Sequence, residues 1–88
     1  MDKTTFMAIL QVIVEGFEDP TFKANFAAAK ASGDVPKMMA LPMAIQERAF
    51  GAHQLDATAG TALFKAAGRQ FGMDEDVAPW LVRMKAAL

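Results

Sequence analysis

Residues 34–53 read DVPKMMALPMAIQERAFGAH, and at helical spacing they carry two apolar faces. One follows Met38, Leu41, Ile45, Ala49 and Ala52. The other follows Met39, Met43 and Phe50, with only Gln46 and His53 polar along that line. Side chains three and four apart share a helix face, and a surface helix ordinarily needs one apolar stripe. Two stripes predict a segment in the middle of the fold, with helices laid on both flanks or a partner on one. Pro42 lies deep in this stretch. Proline there removes a backbone hydrogen bond and crowds the preceding turn. A short helix over 35–41 and a longer one over 42–53 are therefore expected, with the central helix broken or kinked at Pro42.

Working outward, the chain before residue 34 reads as two more helices. Thr4 or Thr5 is a candidate N-cap, because a hydroxyl can accept from an orphan amide of the first turn. Phe6, Leu10, Ile13 and Phe17 then mark one face, widened by Met7 and Val14, and the helix is expected to end near Glu18. Asp19-Pro20 is a helix start: aspartate caps, and proline in the first turn loses no bond. Phe22, Phe26 and Ala29 form the stripe of this second helix, and Gly33 supplies the left-handed residue that helix ends favour.

Beyond residue 53, Asp56 caps a helix over 57–71 with Leu63, Phe64, Ala67 and Phe71 inward, and Gly72 ends it. Asp74 or Asp76 is expected to cap a last helix over about 75–87. Val77, Trp80, Leu81, Met84 and Leu88 form its apolar face, with Pro79 in the first turn. No run alternates with the period of a strand. The fold class that follows is all-α, a compact bundle of four to five short helices in one domain of 88 residues.

Composition narrows the chemistry. The apolar fraction is 53% and the net charge is −1, so no basic footprint points to nucleic acid or an anionic membrane. No window approaches the roughly 18 apolar residues of a membrane span. Cysteine is absent, which excludes disulfides, zinc fingers and thiol catalysis and is compatible with the cytoplasm or another reducing compartment. Ser32 and His53 are the sole serine and histidine, and Ser32 already has a local role in a helix-terminal Ser-Gly turn. His53, Glu47 and Asp56 match no metal-ligand spacing. The acidic groups at 15–19 and 74–76 read as caps and solvated charge. The expectation is a chain that is not an enzyme and carries no metal or cofactor.

Residues 63–82 have the outline of a helix-turn-helix, with Ala67, Phe71, Gly72, Met73 and Leu81 near its small, apolar and glycine positions. Asp74-Glu75-Asp76 would open the recognition helix and repel phosphate, so the outline is read as tight pairing of the last two helices rather than as DNA recognition. The leading functional expectation is a non-catalytic protein–protein interaction module, either a homo-oligomer or a small subunit docking on a larger assembly. Its contact surface is assigned to Met39, Met43 and Phe50, joined by Trp80 and Met84. Methionine and aromatic side chains suit interface anchors. On this reading Phe50→Asp dissociates an assembly and leaves helicity intact. The alternative is a helical carrier of an apolar ligand or cofactor in an inter-helix cavity, and a helix-turn-helix-like DNA binder ranks below both.

Overall fold

A computed structural model describes residues 1–88 and contains five α-helices and no strand. They are α1 (Lys3–Glu18), α2 (Pro20–Ser32), α3 (Val35–Gly51), α4 (Ala57–Phe71) and α5 (Ala78–Ala87). The all-α bundle expected from the sequence is the fold observed.

Four of the five helices begin at an aspartate. Asp2 accepts from the Thr5 amide at 2.7 Å, Asp19 from Thr21 and Phe22 at 2.9 and 3.2 Å, Asp34 from Lys37 at 3.1 Å, and Asp56 from Ala59 at 2.7 Å. Each carboxylate satisfies an amide that the helix itself leaves unpaired. At α1 the cap is Asp2, not the Thr4 or Thr5 hydroxyl, because the helix starts at Lys3. At α5 neither Asp74 nor Asp76 caps. Val77 stands in the cap position without a side-chain bond, and Pro79 enters the first turn. Asp74 instead closes the preceding turn: its carboxylate accepts from the Asp76 amide at 2.8 Å, and its carbonyl accepts from Val77 and Ala78 at 3.1 and 2.9 Å. Gly33 ends α2 at φ 69°, and its amide donates to the Ala29 and Lys30 carbonyls.

The bundle is organised around α1, not around residues 34–53. Phe6, Ile9, Leu10, Ile13 and Val14 are wholly buried and Phe17 nearly so, along a broad arc of the helix, while the other four helices all pack on α1. Its buried face divides between two clusters. Ile9, Ile13 and Phe17 meet Phe22 of α2 and Ile45, Ala49 and Phe50 of α3. Phe6, Leu10 and Val14 meet Ala67 of α4 and Val77 before α5. Phe64 of α4 bridges the two, with ring centroids 4.9 Å from Phe6 and 5.9 Å from Phe50.

Pro42 does not break α3. The helix runs without interruption from Val35 to Gly51. Proline removes one bond of the ladder, and the packing on each side of it holds the turn: Leu41 and Ile45, flanking Pro42, both pack into the first cluster. Tertiary burial overrides the local preference.

Two glycines let α3 approach its neighbours. A Cβ on Gly16 of α1 would lie 2.7 Å from Ile45 Cγ2, and a Cβ on Gly60 of α4 would lie 2.6 Å from Phe50 Cγ. Ile45 and Phe50 therefore seat in notches that any other residue would fill. Gly60→Ala is expected to destabilise the protein by about 1–3 kcal/mol, the usual cost of overpacking, despite alanine's better helix propensity. Urea unfolding followed by circular dichroism measures it, and an unchanged or higher midpoint would contradict the notch.

Candidate interaction surface

The interior contains no buried polar or charged side chain, and no buried side-chain nitrogen or oxygen lacks a partner. The chemistry available to this chain therefore lies on its surface. Two features stand out there: the outer stripe of α3 and the seam between α1 and α5.

On α3, Ile45 and Ala49 of the first apolar face turn inward with Leu41 half-buried beside them, while Met38 is half-buried and Ala52, past the helix end, is exposed. The second face is covered at one end only. Phe50 is 2% exposed under Gly60 and Phe64 of α4, whereas Met39 and Met43 are 62% and 49% exposed. Val35, one turn earlier on the same line, is 57% exposed. The cause is the course of α4. It leaves the end of α3 at Gly60 and carries Phe64, Ala67 and Phe71 toward Phe6 of α1, so α4 does not cover the first half of this second face.

Of the five residues assigned to a contact surface, the structure brings Met39 and Met43 together on successive turns. Phe50 is not on that surface: it is a core residue, because the stripe passes beneath α4 before reaching it. Trp80 and Met84 lie on α5, whose backbone does not approach α3. Met84 is half-buried against both clusters. Val35 joins the stripe without having been assigned to it, although its spacing of four from Met39 is the signal that finds it. Met73, in the connection between α4 and α5, is 96% exposed and also stands outside the expected surface.

Along the second feature, α5 runs parallel to α1. Lys3 at the start of α1 pairs with Asp74 at 2.8 Å and Asp76 at 3.1 Å. Glu18 at the other end receives two bonds from Arg83, 2.6 Å from Nη2 and 3.2 Å from Nε. The same guanidinium lies 4.3 Å from the Trp80 ring centroid. Between these ties Trp80, Met7 and Ala8 line an open groove of about 650 Å³ rimmed by Lys3, Thr4, Gln11 and Asp76. A second groove of about 380 Å³ lies between α1, α2 and α3 over Phe22 and Ile45, with Glu15, Asp19 and Arg48 at its edge. Most residues lining each groove are not hydrophobic.

α4 and α5 do not pair as a helix-turn-helix: their backbones make no close approach, and α5 leans on α1. The small and apolar positions of that outline serve contacts to α1 instead, Ala67 and Phe71 among them. His53 is exposed in the turn after α3, and no three acidic or histidine side chains converge as a metal site. No helix is long and apolar enough to cross a membrane.

The ion pairs contribute to the response to acid, beside the Asp2 cap, whose carboxyl pKa is lowered by its bond from the Thr5 amide. The Arg83 guanidinium holds Glu18 below its usual pKa, and the Lys3 ammonium with the Asp76 amide does the same for Asp74. A carboxylate whose pKa is depressed on folding contributes stability that is fully present above its unfolded value and lost as pH falls through the folded one. The thermal midpoint should therefore fall as pH drops below the usual carboxylate range, about pH 4. Glu18→Gln should lower the midpoint at neutral pH and shrink that acid-induced fall. Equal pH profiles for wild type and variant would show that the Glu18–Arg83 pair contributes nothing.

No protein-family model, curated protein or solved structure matches this chain.

Proposed function

We propose that this chain is a non-catalytic interaction module, a homo-oligomer or a small subunit of a larger assembly, that docks through the outer stripe of α3. The observation that carries the reading is the half-covered second face of α3. Val35, Met39 and Met43 stand about half exposed or more on three successive turns of a helix whose Ile45, Ala49 and Phe50 are buried. Methionine suits such a surface, since its unbranched thioether adapts to irregular partners. A core without titratable or polar groups adds support, because burial is the usual means of tuning a catalytic acid or base. A carrier of an apolar ligand would need an apolar cavity, and the two grooves are lined by mixed or charged residues.

The test is the native mass of the wild type beside the double variant Met39→Glu, Met43→Glu. Both side chains are exposed, so each substitution should change stability by about 0.5 kcal/mol or less. Sedimentation is expected to show concentration-dependent association of the wild type and a smaller species for the variant at equal helicity. Identical sedimentation at every concentration would remove the homo-oligomer. A pull-down whose captured partner is retained equally by both proteins would remove the stripe as a docking surface.

A further inference from the structure

The charges that border the open face of α3 have a pattern of their own. Between Lys37 and Glu47 the helix carries no charged residue, and the two stand five residues to either side of Pro42. Both are exposed. The ion pairs of this chain use Lys3 and Arg83, so Lys37 and Glu47 have no partner within it. Neighbouring charges are otherwise placed: Asp34 caps α3 on the Lys37 amide, and Arg48 lines the groove that also holds Glu15 and Asp19. By helical spacing Ala40, Ala44 and Glu47 form the row next to Met39 and Met43, and Lys37 borders that row on its far side. All six are exposed.

The geometry points to a second copy of this chain as the occupant of the α3 stripe, with the two α3 helices antiparallel and crossing at the level of Pro42. This rests on the stripe as a docking surface and names what docks there. A two-fold axis perpendicular to both helices inverts the level of each residue and keeps its side of the seam. Lys37 of each copy then lies level with Glu47 of the other, an ion pair made twice. Met39 meets Met43 across the seam, and Ala40 lies level with Ala44, where small side chains let the backbones approach. A parallel pair would set lysine beside lysine and glutamate beside glutamate, which like charges disfavour. The face that fits this one needs an uncharged apolar centre with the opposite charge at each end. That is the same face turned end for end.

Charge reversal tests the pairing by complementation. Lys37→Glu sets two pairs of carboxylates together in the antiparallel dimer, and Glu47→Lys sets two pairs of ammonium groups. Both positions are exposed, and each new charge has the sign that its end of α3 favours, so helicity should be retained. Alone, each variant should associate more weakly than the wild type in sedimentation at low ionic strength, where screening is least. Mixed in equal amounts they remake both ion pairs, and association should strengthen at least about fivefold over either alone, the effect of two exposed pairs. The double variant Lys37→Glu, Glu47→Lys should recover association by itself. Single reversals that associate as tightly as the wild type, or a mixture no tighter than its parts, overturn the antiparallel pair. Should Met39→Glu, Met43→Glu still abolish association in that event, the stripe stands as the docking surface and only this pairing fails. A wild type that stays monomeric at every concentration overturns the second copy outright.

Discussion

Phe50→Asp is expected to unfold the whole chain. Phe50 is 2% exposed, its ring fills the notch at Gly60, and it stacks edge-on with Phe64 at 5.9 Å. Losing the aromatic side chain alone costs about 3–5 kcal/mol. The carboxylate would then sit among apolar atoms with nothing to pair with, since this core contains no polar side chain. Substitutions that bury an unpaired charge belong to the few that exceed about 4–5 kcal/mol. A domain this size is stable by only about 4–13 kcal/mol. Far-UV circular dichroism at 25 °C should show loss of helix and no cooperative melting transition. A variant that keeps its helicity and loses only native mass would restore Phe50 to an interface and refute its place beneath α4. The apolar stripe alone predicts that second outcome; the structure reverses it.

Phe6→Ala should be nearly as damaging, and for a different reason. Phe6 of α1 is wholly buried against α4, 4.9 Å from Phe64 and 6.1 Å from Phe71 by ring centroid. It also belongs to the cluster that receives Val77. Truncation removes contacts to two helices at once and leaves a void that the surrounding rings only partly close. The expected loss is about 3–5 kcal/mol, read as a shift of the urea midpoint with little change in slope. Because the second cluster is also the seat of α5, hydrogen exchange should speed up more in residues 78–87 than in α2. Uniform acceleration throughout the chain would indicate one indivisible core instead.

Much of the architecture is legible because aspartate and glycine act locally. Asp19 and Asp56 cap the helices predicted for them, Gly33 takes the left-handed conformation, and α4 occupies 57–71. Those signals depend on a few neighbouring residues. The features that escape the sequence depend on neighbours far along the chain. Pro42 reads as a break because its local cost is visible in the sequence, whereas the compensating burial of Leu41 and Ile45 is not. Residues 34–53 read as central because two apolar stripes can mean either deep burial or half-covered exposure, and only the path of α4 decides between them. The true centre, α1, has a broader apolar arc once Ile9 is counted, a position outside the stripe of Phe6, Leu10, Ile13 and Phe17. Gly60 gives no local hint, since its role is set by Phe50, ten residues away.

Hydrogen-bonded pairs inside a protein act as an index, telling each helix how far along its neighbour to sit. This interior has none. The index for α3 is then wholly steric, two bumps in two dents: Ile45 at Gly16 and Phe50 at Gly60. Fill both dents and the oily contacts remain plentiful while the helix loses its detents, so one structure would give way to a set of slid, near-equivalent packings.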